Sequence, residues 1–313
     1  MDLVATLRNK IDALEDGDYI PGLRAVLLHI ETAYRHLARG QESEDETAFT
    51  DTIYRTNQAF EGSIKEAYRV LASQDPSKKR PFDIEKYLEK SKSFRERVLR
   101  QFTTYRTEWR NPSAHDYKLD FDESEAFLAI VSVSAFACLL LDQIAEQLSF
   151  IKSQAEAEAQ KATVTSQLAT DRTSGLMERA VDIIQQFATT SMFPVSSSQR
   201  HSELQYIGAL HGFVSSIAPD IEVSTEEVLT KDRPFRADLV FKHGSERVLI
   251  ELKRDVRKSH EVAVSQVEHY MLISGIKSAI LFLISPEKAE LEVEERLVPA
   301  IDGRIMIVRG KKV

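Results

Sequence analysis

The feature that most constrains this chain is a pair of charges inside a run that otherwise reads as wholly apolar. Val248-Leu-Ile-Glu251-Leu-Lys253 has the content of a buried strand. In a strand, residues two apart share a face, so Leu249, Glu251 and Lys253 line one side while Val248, Ile250 and Leu252 line the other. A strand that is apolar on both sides belongs in the middle of a covered sheet. A carboxylate and an amine carried there are costly unless they are paired or bind a metal. Upstream, Arg236-Ala-Asp238-Leu-Val leads into His243-Gly244-Ser245. With Gly244-Ser245 read as a two-residue hairpin turn, 243 pairs with 246 and 241 with 248, which sets Asp238 opposite Glu251.

Two carboxylates and one amine on adjacent strands suit metal-assisted phosphodiester cleavage. Their oxygens are the hard ligands that Mg²⁺ or Mn²⁺ prefers, and a nearby lysine can orient water. Asp238 followed by Glu251-Leu252-Lys253 on the next strand resembles the PD-(D/E)XK nuclease superfamily. A helix from about Lys258 to Gly275 follows, on which Gln266 and Tyr270 are four apart and share a face. That Gln-x-x-x-Tyr spacing resembles the extra motif of the RecB-like branch. The apolar strand Ser278 to Ile284 then completes a strand, helix, strand unit. The resemblance implies a restriction-endonuclease-like, mixed-sheet α/β domain that cuts nucleic acid, DNA before RNA, with Mg²⁺ or Mn²⁺. It makes Asp238 and Glu251 the metal ligands, Lys253 the group that positions water, and Gln266 and Tyr270 the residues that orient the site. Such nucleases often carry a further Glu on the first helix of the core to help hold metal, and Glu203 stands there as the candidate, in a helix opening at His201-Ser and running to about Ile217.

The first half of the chain reads as helix throughout. Candidate helices run from about Leu3 to Leu14, Gly22 to Leu37, Asp45 to Ser73, Ile84 to Trp109 and Glu123 to Ile151. Asp122 and Glu125 form a capping-box pair at the start of the last one. The helix before it should stop near Asn111, because a residue preceding proline is pushed out of the helical region. Trp109-Arg110-Asn111-Pro112-Ser113-Ala114-His115, followed by the acidic-capped helix, resembles the HEPN superfamily. The resemblance implies an all-helical domain that dimerises. In its active members Arg110 would stabilise the charged phosphorane, His115 would move the 2′-hydroxyl proton and Asn111 would hold the backbone, without metal. Many HEPN-like domains serve instead as interaction modules.

At 313 residues the chain suggests two domains. The expected division is an all-helical HEPN-like bundle over 1–153, a helical linker over 154–195 with a Pro- and Ser-rich break at Pro194 to Gln199, and the nuclease domain over 196–313. Lys plus Arg is 41 against 49 for Asp plus Glu, a net charge of −8, so the whole protein is no general phosphate binder. Lys231 to Lys258 reverses that balance, with nine basic residues against five acidic, and is expected to form a basic rim to the site. Cys138 is the only cysteine, which excludes an internal disulfide or a cysteine-based zinc site. No secretory signal opens the chain, so a cytoplasmic location is expected. Ala126 to Leu141 carries no charge but is shorter than the roughly 20 residues of a membrane span, and reads as a bundle-core helix. Beyond Ile284, Ser285-Pro-Glu-Lys is expected to open a charged, solvated helix before a last strand, Arg304 to Val308. The functional expectation is a homodimeric nuclease effector of anti-phage defence or restriction. Two alternatives stand beside it: a ribonuclease toxin working through Arg110 and His115, with the C-terminal domain binding nucleic acid, and a non-catalytic regulatory scaffold.

Overall fold

Two compact units form along the chain, Met1–Gln147 and Leu148–Val313. They are described in a computed structural model that covers residues 2–91, 93–115, 120–168, 174–190, 201–230, 235–254, 260–284 and 290–310. The first is helical; the second is a six-stranded mixed sheet with helices, an α+β arrangement.

The first unit contains α1 Leu3–Asp12, α2 Ile20–Ser43, α3 Thr47–Leu71, α4 Pro81–Lys90, α5 Glu96–Tyr105, the short α6 Asn111–His115 and the first part of α7, Glu123–Gln167. Its core is aromatic. Phe60 stacks on Phe102 and Tyr105 and tilts against Phe136, and all four are fully buried. The expected capping box closes reciprocally: the Asp122 N–H donates to Glu125 Oε2 at 2.9 Å and the Glu125 N–H donates to Asp122 Oδ1 at 2.8 Å.

Two helical expectations need correction here. The single helix expected over Ile84 to Trp109 is two, ending at Lys90 and restarting at Glu96; before the restart Gln143 of α7 accepts from the Arg95 N–H and donates to the Ser93 carbonyl, satisfying backbone groups that a helix would have paired. Phe94 then drops into the core. Nor does the next helix stop at Asn111, which is helical at φ −69° and ψ −47°. The backbone widens over Arg106–Arg110, where the Asn111 N–H reaches back five residues to the Arg106 carbonyl. One wide turn makes room for a proline ring and its missing N–H, and α6 continues beyond it.

α7 is longer than its apolar run suggests, and by length and composition alone it could cross a membrane; half of its most apolar stretch is buried within the protein. Ala126, Ile130, Val133, Phe136 and Leu140 are among the core residues it supplies. The tail of α7 and α8 Leu176–Thr189, read as a helical linker, pack within the second unit. Ala157 and Val164 are buried with Ile183, Ile184 and Phe187 against α9 Glu203–Ile217 and one face of the sheet. Gly212 explains the closeness: a Cβ there would lie 2.3 Å from the Phe150 carbonyl oxygen. The division therefore falls at 147 rather than 153. The break expected at Pro194 to Gln199 lies outside the described residues.

The sheet runs β1-β2-β3-β4-β6-β5, from β1 Glu222–Val228, β2 Arg236–His243, β3 Glu246–Arg254, β4 Ser278–Ile284, β5 Leu291–Val298 and β6 Gly303–Gly310. β1, β2 and β3 pair antiparallel, β4 and β6 join parallel, and β5 closes the far edge antiparallel. Leu239, Phe241, Val248, Ile250 and Leu252 face the α7 tail, α8 and α9, while Val240, Leu249, Ala279 and Leu281 face α10 His260–Ser274. The charged segment read as a helix beyond Ile284 is the edge strand β5; residues 285–289, where it was to begin, lie outside the described set. Glu292 and Glu294 are positioned by Arg309 of β6, at 2.6 and 3.1 Å, a cross-strand match that a lone helix could not make.

Candidate functional site

Gly244 adopts φ 57° and turns β2 into β3. The ladder pairs His243 with Glu246, Phe241 with Val248 and Leu239 with Ile250. One step further, Asp238 leaves the ladder: its Oδ2 accepts the Leu252 N–H at 2.9 Å. Asp238, Glu251 and Lys253 thus share the sheet face that α10 covers.

Glu251 is the centre of this group, only 3% exposed on a central strand. Its Oε1 takes both the Lys253 ammonium, at 2.9 Å, and the Gln266 amide Nε2, at 2.9 Å. The same amide donates to the Tyr270 hydroxyl at 2.9 Å, so one helical face carries both residues to the site. The other oxygen, Oε2, is buried and has no hydrogen-bond partner. Lys253 Nζ also lies 3.9 Å from Asp238 and 3.9 Å from Glu203, which α9 brings in at its first residue behind the Ser202–Gln205 capping box.

Burial, and then the charge of Asp238, push the Glu251 carboxyl up to about 7, against the pull of Lys253. Asp238 is raised as well, by burial, with Lys253 and the Leu252 N–H opposing. Burial would lower Lys253, but Glu251 and Asp238 outweigh it and raise the ammonium further. One lysine faces two buried acids.

Those two acids could hold a hard divalent cation. Among the described residues no group of three or more ligating side chains converges, and Mg²⁺ is commonly held by one or two carboxylates with water and phosphate completing its shell. Among the described residues of the expected basic rim, Arg247 and Lys242 both pair with Glu227 of β1, and Lys242 also lies 3.8 Å from Glu222. Residues 231–234 and 255–259 of that stretch lie outside the described set.

The sequence reading does not single out Glu226. On β1 it falls between the paired positions Thr225–Leu239 and Glu227–Ala237, which sets it against Asp238, and its charge contributes to raising Asp238. It holds φ 48°, a left-handed conformation rare for a side-chain-bearing residue in a strand. Only the acidic pair Glu226-Glu227 marks it in the sequence.

In the first unit, Arg110 lies 3.8 Å from both Glu61 and Glu85 and donates to Asn111 Oδ1 at 3.2 Å. His115 ends α6, and its side chain lies outside the described ones. Comparison of the chain with protein-family models, with curated proteins and with solved structures found no match.

Proposed function

We propose that the second unit is a divalent-metal-dependent nuclease of the PD-(D/E)XK type, with a restriction-endonuclease-like fold, acting on DNA. The observation that carries this reading is the Glu251 carboxylate, buried in a central strand beside a second acid, with Oε1 accepting from both Lys253 and Gln266 and Oε2 without a hydrogen-bond partner. An uncompensated buried oxygen costs on the order of 1–3 kcal/mol, more when charged, so a cation at Asp238 and Glu251 is the natural partner. Bound there, Mg²⁺ or Mn²⁺ would supply positive charge at the scissile phosphate and acidify water.

The protein's own groups divide the remaining work. Lys253 stays protonated across the neutral range, so it acts as a donor that orients water or a phosphate oxygen and not as the base. Gln266 fixes Glu251 from α10 and is itself tied to Tyr270, which holds the carboxylate's direction. Glu203 sits at the margin beside Lys253, placed to join through water.

For the first unit we infer a HEPN-like helical domain that pairs two chains. Arg110 stands within an ion cluster of Glu61 and Glu85, which gives it a structural partner and leaves the nuclease reading on the second unit. A cytoplasmic effector of defence or restriction is the setting this combination suggests by analogy.

The test is incubation of the purified full chain with plasmid DNA and with RNA, with Mg²⁺, Mn²⁺ or EDTA. Cleavage of DNA that needs the metal is expected. Cleavage of RNA that survives EDTA would move the activity to Arg110 and His115, and no cleavage of either would favour a scaffold. Light scattering should give about twice the 35.5 kDa chain mass, and a monomer would remove the pairing role.

A further inference from the structure

α4 presents a face on which aromatic rings alternate with lysines. Its inner side is filled by Ile84 and Leu88, both fully buried. Its outer side carries Phe82, Lys86, Tyr87 and Lys90, with Lys78 and Lys79 exposed just before it. Phe82 is 64% exposed, with the Lys86 ammonium 6.0 Å from its ring centre. Tyr87 is held edge-on by Tyr68 at 5.2 Å, and with Asp83, Lys86, Lys90 and Ser91 it lines an open hollow.

The acids of this segment are already engaged. Asp83 takes two bonds from Arg80, at 2.8 and 3.1 Å, and Glu89 takes two from Arg106, at 3.3 and 3.2 Å. Glu85 is buried beside Arg106 and Arg110. Among the described residues Lys78, Lys79, Lys86 and Lys90 form no ion pair within 4 Å; Asp75, held by Ser77, and Asp83, held by Arg80, feel Lys78 and Lys79 with Lys86 only at longer range. In a chain of net charge −8 this is a local reversal of sign beside two upright rings.

We propose that this face binds single-stranded nucleic acid, with phosphates on the four lysines and unpaired bases stacked on Phe82 and Tyr87. Lysines alone take phosphate from any strand; rings add a preference for bases that are not already stacked in a duplex. An anionic membrane surface would use the same cations but also insert exposed aliphatic groups, and the aliphatic residues of α4 point into the core. No residue of the second unit enters the argument, so the site stands apart from the nuclease reading.

The test uses the full chain in EDTA, so that no strand is cut, with fluorescein-labelled single-stranded DNA and RNA and a duplex of the same length, followed by anisotropy across a salt series. Phe82→Ala with Tyr87→Ala should weaken single-strand binding by about 30-fold or more, the lower range for losing two stacked bases, and leave the duplex little changed. Lys78→Gln, Lys79→Gln, Lys86→Gln and Lys90→Gln together should flatten the slope of log affinity against log salt by roughly 3, at about 0.7 per phosphate. Both effects should persist in a Glu251→Gln background, which separates this face from the sheet site. Phe82→Leu keeps the bulk and should also weaken binding. Unchanged slope and affinity in both sets, equal loss on duplex, or binding to phosphatidylserine vesicles in place of oligonucleotide would overturn the proposal.

Discussion

Two glutamates, one in each unit, are equally shielded from solvent and meet opposite surroundings. Glu85 on α4 and Glu251 on β3 are each 3% exposed, each has one oxygen without a hydrogen-bond partner, and burial raises both. The strongest neighbour of Glu85 is a cation, Arg110, with Arg106 next. The strongest neighbour of Glu251 is another acid, Asp238. Burial alone therefore does not separate the two acids; their neighbours do. What distinguishes them is the balance of charge: two arginines flank the single acid Glu85, whereas one lysine is shared by the two acids Glu251 and Asp238.

The largest expected effect is on cleavage. Asp238→Ala, Glu251→Ala and Lys253→Ala should each lower DNA cleavage by about 10²–10³ or more, the range for removing a group that stabilises developing charge or holds metal. Glu85→Gln should leave the rate within a few-fold. If Glu85→Gln abolishes cleavage as well, the two acids are not different in kind. Rates on plasmid, with folding checked by circular dichroism, decide it.

Stability should divide the pair in the other direction. Glu85→Ala takes the buried acid from Arg106 and Arg110, which keep Glu89 and Glu61, and should cost on the order of 2 kcal/mol, read in urea through Trp109, the single tryptophan, which lies in the same unit. A loss below about 1 kcal/mol would mean that the arginines do not depend on it.

Glu251 should behave oppositely when metal is removed. Its carboxyl rises from 4.5 to about 7, so the folded protein keeps a proton that the unfolded chain releases. Stability from this group is full below about 4.5 and falls as pH climbs towards 7. In chelator near pH 8, Glu251→Gln should thus be more stable than the wild type, on the order of 2 kcal/mol, and its pH dependence flatter. Adding Mg²⁺ or Mn²⁺ should raise the wild-type Tm and not the variant's. A variant less stable than wild type at that pH would show that Lys253 and Gln266 already satisfy the acid.

The smallest effect sharpens the comparison within α10. Gln266→Ala should slow cleavage about tenfold by freeing Glu251, whereas Glu268→Ala, which pairs with Arg296 at 3.2 Å, should change it by less than about threefold. Equal effects, measured on one substrate, would mean that α10 does not hold the carboxylate.

Much of the sheet site is legible in the sequence because its geometry is local. A two-residue turn at Gly244 and the period of two fix which side chains of β2 and β3 face each other, and a spacing of four puts Gln266 above Tyr270. The caps at Asp122 and Ser202 are equally local. The charged strand β5 is not legible, since alternating Glu and Arg suits a solvated helix as well as an edge strand, and its partner Arg309 comes from another strand.

By itself, then, the sequence determined the helical and α+β halves, the hairpin register and the meeting of Asp238, Glu251 and Lys253, all set by neighbours within a few bonds or one turn. Only the tertiary structure decided that the α7 tail and α8 complete the sheet's core, that Glu226 comes to face Asp238, that Glu227 neutralises Arg247 and Lys242, and that one oxygen of Glu251 is left without a partner. Those outcomes depend on which groups distant in the chain reach a given atom first, and a hydrogen bond or ion pair is settled within about 3–4 Å, far below the resolution of a pattern in sequence.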